Sequence, residues 1–212
     1  MHRVPPWTKA KASNADLVIR ESIVTTRNLK GDAHIAPMGI HFEDGYLIFL
    51  PFRPSITLEN LLRERCAVVN YTDDVRIFAG ALTGRYDWPV CAPSQIPGWR
   101  LAQTLAHAEV EIERVEDNHV RPRLYGRVVH EHTHAPFHGF NRAQAAVVEA
   151  AILVSRLDRL PWVKIEAELA YLQIAVEKTA GPIEQTAWDW LMKRVAAYRH
   201  ERGEDKHDLN AG

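Results

Sequence analysis

The sequence predicts an α+β chain, mainly β, in which a small barrel or closed sheet is followed by helices. Between Leu17 and Val129 the chain breaks into short β-rich runs separated by turn residues, without the regular strand–helix alternation of a βαβ layer. From Phe140 to Arg202 apolar residues instead recur at helical spacing. Glu43-Asp44-Gly45 stands between the runs Ala33–Phe42 and Tyr46–Phe52, and Asp-Gly flanked by apolar runs is a strong hairpin signal.

Taken in order, Leu17–Thr26 mixes β-branched and polar residues and reads as the first strand, closed by a turn at Asn28–Asp32 around Gly31. The hairpin supplies the next two strands. Cys66–Tyr71 is an apolar, β-rich run ended by the turn residues Thr72-Asp73-Asp74. Val75–Leu82 fits strand or helix. Tyr86–Gly98 holds Pro89, Pro93 and Pro97 and reads as a loop, one that could cover something. Leu105–Val115 and Val120–Val129 alternate as a strand pair joined near Asp117-Asn118. Asn141 is a good cap for a helix over Arg142–Leu157, with Ala145, Val148, Ile152 and Leu153 at helical spacing. Trp162–Thr179 is a second helix, stopped at Gly181. Pro182 opens a third that runs to about Arg202, with Trp188, Leu191 and Val195 on one stripe. The expected organisation is a flexible N-terminus over 1–16, a barrel domain over 17–139, a helical extension over 140–202 that packs on the barrel or on a second copy, and a tail over 203–212.

Composition narrows the function classes. The chain has 212 residues, 46% hydrophobic, with a formal net charge of −1. That balance argues against a nucleic-acid groove and against an acidic disordered tail. Two widely separated cysteines, Cys66 and Cys91, do not make a disulfide scaffold and fit a reducing cytoplasm. Residues 1–16 lack an apolar core of signal-peptide type, and no run is long enough to span a bilayer, so a cytoplasmic protein without a membrane partner is expected.

The most informative stretch is Arg53-Pro54-Ser55-Ile56-Thr57-Leu58-Glu59-Asn60-Leu61-Leu62, where a strand end turns into a helix. A helix N-terminus leaves N–H groups without intrahelical partners and carries partial positive charge, which suits a phosphate. Arg53 offers a two-pronged cation there, and Ser55 and Thr57 offer hydroxyls. The same hydroxyls also serve as ordinary helix caps, the commoner use of such residues. In Ala36-Pro37-Met38-Gly39, Pro37 belongs at a strand edge or bulge and Gly39 permits close backbone approach. An interrupted strand of this kind displays backbone groups that the imide edge of a planar heterocycle can use, or it merely helps a barrel close. Arg27 and Asn28 are polar groups at a strand end, and Asn70, within an apolar strand, needs a partner if buried.

Other chemistry has less support. His130, His132 and His134 lie at alternating positions in a tract that also holds Glu131 and His138, and project to one side if extended. Imidazoles so placed can bind zinc, but the tract precedes Pro136 and Gly139 and reads equally as an exposed loop, so no metal ligand is assigned. Neither cysteine has a neighbouring histidine, no nucleophile elbow occurs, and no catalytic residue is assigned. Walker-type and Gly-x-Gly-x-x-Gly phosphate loops are absent.

As an ordered set, Thr25-Thr26-Arg27-Asn28, Ala36-Pro37-Met38-Gly39, Arg53-x-Ser55-x-Thr57-x-x-Asn60-Leu61 and Val68-Val69-Asn70-Tyr71-Thr72-Asp73-Asp74 resemble the DUF447 proteins, which are flavin-reductase-like FMN-binding split barrels. Pro136-Phe137-x-x-Phe140-Asn141-Arg142-Ala143 resembles the C-terminal part of that family. The resemblance implies a six-stranded Greek-key split β-barrel with a C-terminal helical extension, a homodimer, and FMN in a cleft at the subunit interface. It implies that Arg53, Ser55 and Thr57 hold the phosphate with Asn60 supporting the turn. Pro37, Met38 and Gly39 then run beside the isoalloxazine, with Arg27, Asn28 and Asn70 as polar contacts. Arg53-Pro54 stands where the family tends to have Lys-Gly, which keeps the charge and removes one N–H. The function so implied is that of an FMN-binding protein and flavin-dependent oxidoreductase with a small-molecule redox substrate or electron donor. The alternatives are a non-catalytic flavin-binding or structural module, and a metal-dependent enzyme using His130, His132 and His134.

Overall fold

The computed structural model describes residues 18–202, which form two compact units, one of residues 18–72 and 88–137 and one of residues 73–87 and 138–202. The expected N-terminal segment 1–16 and tail 203–212 lie outside the described residues.

In the first unit six strands close into a barrel in the order β1-β2-β3-β8-β7-β4. These are β1 (Ile19–Arg27), β2 (Ala33–Glu43), β3 (Tyr46–Phe49), β4 (Cys66–Tyr71), β7 (Ala106–Glu116) and β8 (Arg123–Thr133). Helix α1 (Ile56–Glu64) lies between β3 and β4, and the chain then returns to pair β4 with β1. That placement of a fourth strand beside the first is a Greek key. The β2–β3 hairpin turns at Asp44 (φ 48°) and Gly45 (φ 86°), two successive left-handed residues as a tight primed turn requires.

Alternation sorts the side chains into two faces. Val24, Ile40, Leu47, Phe49, Ala67, Val69, Ala108, Val110, Ile112 and Leu124 fill the barrel, and Leu58 and Leu61 of α1 join the same cluster. Gly126 of β8 makes this packing possible. A Cβ there would meet Val110 Cγ1 at 2.3 Å and Phe49 Cε2 at 2.9 Å. On the other face of β4, Cys66 and Val68 pack with Ile96 and Val129.

Strand β3 is only four residues long. It pairs with β2 over His41–Glu43 and with β8 over Leu124–Gly126. Residues 33–40 of β2 and 127–133 of β8 therefore extend past β3, and among the described residues no strand pairs with them on that side. Strand β8 also runs further than expected, through His130 and His132 to Thr133, because it keeps pairing with β7 as far as Ala106. The histidine tract is thus largely strand, not the loop its proline and glycine neighbours suggest.

The expected loop over 86–98 holds β5 (Val90–Cys91), and the segment continues into β6 (Arg100–Leu101), with which β5 pairs. It covers the outer face of β1, β4 and β7. Thr25 Oγ1 donates to Trp99 O at 2.5 Å, Leu101 N–H to Asn70 Oδ1 at 2.9 Å, and Trp99 Nε1 to Gly31 O at 2.8 Å.

Helix α1 is fastened to β1 by Glu64, which pairs with Arg27 and, at 2.8 Å, with Arg63. Hydrogen bonds from Arg63 and Arg27 hold the Glu64 carboxyl below its ordinary value of 4.5, against the opposing effect of burial.

The second unit holds α2 (Arg76–Leu82), α3 (Arg142–Val154), α4 (Trp162–Thr179) and α5 (Pro182–Glu201). Asn141 caps α3, accepting from Ala143 N–H at 2.7 Å, and Pro182 opens α5. Helix α5 buries Trp188, Leu191 and Val195 as expected. Helix α3 buries Ala143, Ala146, Val147, Ala150, Ala151, Leu153 and Val154, and leaves the predicted Ala145 exposed. Of the expected stripe, Leu153 is buried and Val148 and Ile152 are half-buried, and small alanines fill most of the remaining buried face. No helix among the described residues is long and apolar enough to cross a membrane.

Gly126→Ala is expected to lower unfolding stability by about 1–3 kcal/mol through overpacking against Val110 and Phe49. Chemical denaturation of the full chain measures it. The depressed Glu64 pKa stabilises the fold fully above the unfolded-state value near 4.5 and is lost as pH falls through the lower folded-state value. The wild type should therefore lose denaturant resistance below that point, and Glu64→Gln should flatten this part of the pH profile.

Candidate functional site

The bend at residues 53–55 leads into α1. Ser55 is the N-cap, with extended backbone (φ −158°, ψ 147°) and its Oγ accepting from Leu58 N–H at 3.2 Å. The hydroxyl hydrogen stays available, because capping uses only an oxygen lone pair. Ile56 and Thr57 occupy the first two helical positions, where backbone N–H groups lack an intrahelical acceptor. Cap and anion site are thus compatible in this geometry.

Arg53 stands beside this terminus. Its Nη2 lies 2.9 Å from Asp117 Oδ1, with side-chain exposures of 39% and 72%. An ion pair this open contributes at most about 1 kcal/mol, so a bound anion can displace the carboxylate. Arg53 N–H also donates to Val120 O at 3.0 Å, which brings the β7–β8 connection alongside. Arg121, on that connection, lies 4.6 Å from the centroid of Phe52 and donates from Nε to Leu50 O at 2.7 Å. It is a second cation near the bend, and nothing local in the sequence signals it.

Thr57 is buried, and its Oγ1 lies 3.1 Å from His34 Nε2. Burial holds the His34 imidazole below its usual range, so it is neutral at pH 7 and adds no fixed charge. The contact links the start of α1 to the start of β2. Further along β2, Ala36, Pro37, Met38 and Gly39 pair with Val24, Ile23, Ser22 and Glu21 of β1, while the other edge of the strand is open. Pro37 fits such an edge because it has no N–H to give to a ladder. At Gly39 a Cβ would lie 2.7 Å from Ile19 Cγ2.

The remaining candidates are committed to internal partners. Arg27 is held by Glu64. Asn28 Oδ1 accepts from Lys30 N–H at 2.8 Å and Asp32 N–H at 2.9 Å, closing the β1–β2 turn. Asn60 is buried, donates to Thr26 Oγ1 at 2.9 Å and accepts from Arg63 at 2.9 Å. Asn70, fully buried, donates to Ile23 O at 3.0 Å while accepting from Leu101 N–H. Asn28 and Asn60 do meet across an open cavity of about 310 Å³, also lined by Lys30, Ile56 and Arg63.

A second polar cluster lies on the outer face of β7 and β8. His107 faces His132, and Glu109 faces His130, across the ladder. A register shift at Val129 turns His130 onto this face, the re-aiming that bulges produce. Glu109 is fully buried and accepts from Ser94 N–H at 2.6 Å, Gln95 N–H at 2.6 Å and Ile96 N–H at 3.1 Å. Burial opposes its ionisation, but these backbone bonds and His107 outweigh it and hold the carboxyl below its ordinary range. His107 Nε2 lies 3.3 Å from Glu109 Oε1, and its Nδ1 lies 2.9 Å from His134 Nε2. Burial lowers the His107 pKa, and Arg100 nearby pushes the same way. Ligand atoms of His107, Glu109 and His130 all lie within 4.8 Å of one another. The sequence reading took the histidine tract alone and missed His107 and Glu109, whose alternation with Ala106 and Ala108 resembles any half-buried strand.

The sequence matches the family described as protein of unknown function (DUF447), its N-terminal domain over residues 20–135 and DUF447 again over residues 141–193. No curated protein matches the chain. Among solved structures, the FMN-bound protein MM1853 from Methanosarcina mazei, of the same family, is similar with a TM-score of 0.72 and 18% identity, over 83% of this chain and 94% of that one. The 2-nitrobenzoate 2-nitroreductase NbaA of Pseudomonas fluorescens has a TM-score of 0.47 and 18% identity, over 60% of this chain and 70% of that one. Flavoredoxin from Methanosarcina acetivorans has a TM-score of 0.47 and 12% identity, over 59% and 75%. At 18% identity the likeness to the Methanosarcina mazei protein is one of fold, a six-stranded closed barrel with added helices. With both of its parts matched along most of its length, the chain belongs to the DUF447 family.

Proposed function

We propose that the barrel unit binds FMN, with the phosphate at the N-terminus of α1 and the ring along the open edge of β2. The observation that carries this is the unpaired helix start, with Ile56 and Thr57 N–H groups, beside the exposed and exchangeable Arg53. The fit extends along the strand. Thr57 touches His34, and at about 3.3 Å per residue Pro37 lies roughly 10 Å further on, a span suited to an elongated cofactor. The FMN-bound family member of similar fold supports the same reading.

In this arrangement Arg53 and the helix terminus neutralise the phosphate, and the Ser55 hydroxyl donates while still capping. Pro37, Met38 and Gly39 lie against the ring. Bound FMN supplies redox chemistry, which the protein tunes through the groups around it. Arg27, Asn60 and Asn70 act behind the site by fixing α1, the turn and the covering segment. A homodimer belongs to the same reading, with a second copy completing the cleft at that edge. The reading is that of a flavin-dependent oxidoreductase, whose electron donor and small-molecule substrate are to be found by assay.

The purified chain should carry a yellow chromophore near 450 nm, roughly the band of an oxidised flavin. Arg53→Ala removes a charge-assisted contact of about 1.5–3 kcal/mol, so FMN affinity should fall about 10–100-fold while riboflavin affinity hardly changes. Equal losses for both ligands would refute the phosphate assignment. Anaerobic NAD(P)H or a reduced deazaflavin should bleach the flavin; a flavin that no donor bleaches would make the protein a non-catalytic flavin module. Light scattering on the FMN-loaded chain should give the mass of a dimer, and a monomer that holds FMN tightly would overturn the shared cleft.

A further inference from the structure

We infer that His107, Glu109 and His130 form a binding site for a divalent transition metal ion, with zinc as its natural probe, on the outer face of β7 and β8. This site is separate from the flavin reading and does not rest on it. Two imidazoles and one carboxylate are a donor set that suits zinc when a fourth position is left to water.

The geometry is already close to what coordination needs. His107 Nε2 and Glu109 Oε1 are 3.3 Å apart. Two ligands at about 2.0–2.1 Å from a tetrahedral ion stand about 3.3 Å from each other. His130 brings its ligand atom within 4.8 Å of both, so a small side-chain movement closes the third corner. His130 is half-buried, which leaves a path from solvent.

The surroundings are those of a built site. Ligating imidazoles usually donate their other ring N–H to an outer partner, and ligating carboxylates are themselves hydrogen-bonded. Here His107 Nδ1 faces His134 Nε2 at 2.9 Å. Three backbone N–H groups, from Ser94, Gln95 and Ile96, orient the Glu109 carboxylate. The bulge at Val129 is the third feature, since without it His130 would point to the opposite face of the sheet. In the tautomer with hydrogen on Nδ1, His107 donates to His134 and turns its Nε2 lone pair to the metal. Arg100 is the opposing charge nearby, and it moderates affinity without occupying the ligand atoms.

The test uses the full chain, treated with chelator and then desalted, with Zn²⁺ titrated in competition with a chromophoric chelator. One ion per chain is expected, with and without FMN present. Outer-partner changes at metal sites typically cost 10–100-fold, so losing a direct ligand in His130→Ala should weaken binding at least about tenfold. Glu109→Gln should do the same, while His119→Ala, on the exposed β7–β8 connection, should leave binding unchanged. X-ray absorption at the zinc edge should show two imidazoles and one carboxylate oxygen at about 2.0–2.1 Å. Should Glu109→Gln fail to fold, His130→Ala and the absorption spectrum decide alone. Absence of stoichiometric binding, an affinity that His130→Ala leaves untouched, or a spectrum without imidazole would each overturn the site.

Discussion

The brevity of β3 is the constraint from which the candidate chemistry follows. Its four residues pair with only three residues of β2 and three of β8, so two much longer strands part company beyond it. An open strand edge is normally a hazard, because its unpaired backbone groups invite association. Here the β2 side of the split carries Pro37, and the β8 side carries the run that ends in His130 and His132. The interior survives the split because Leu47 and Phe49 are almost wholly buried and pack with residues from across the barrel. The fold thus keeps one closed core and still leaves backbone groups for a ligand or a second copy.

A second constraint acts on the outer face. The covering segment is tied down by buried polar groups as well as by the packing of Ile96 on Cys66 and Val68. An amide or carboxylate buried without partners costs several kcal/mol, and removing one partner exposes that cost. Asn70 meets the requirement with β1 and with Leu101, and Glu109 with three successive amides of the covering segment. Each anchor needs the segment in place, and the segment needs both anchors. Seating is therefore cooperative.

Much of the barrel was legible in the residues. Asp44-Gly45 announced its hairpin, Asn141 and Pro182 announced their helices, and the β-rich composition of Cys66–Tyr71 announced its strand. What stayed hidden depends on distant partners. Val75–Leu82 fits either period, and only packing with other helices makes α2 helical. The end of β8 is set by its pairing with β7, which overrides the loop-like composition after His130. In the candidate site, Ser55 was readable as a cap because that role is local to a helix start. Arg121, His34, His107 and Glu109 were not, since each gains its meaning from a neighbour far along the chain.

The positions of the two cysteines give the covering segment a built-in reporter. Cys66 lies beneath it, buried, its Sγ 3.5 Å from Pro97 O and its thiol pKa pushed up by that burial. Cys91 sits on the segment itself and is only half-buried. A thiolate reacts and a shielded thiol does not, so the seated segment protects Cys66 from alkylation, and Cys91 is an internal standard in the same molecule.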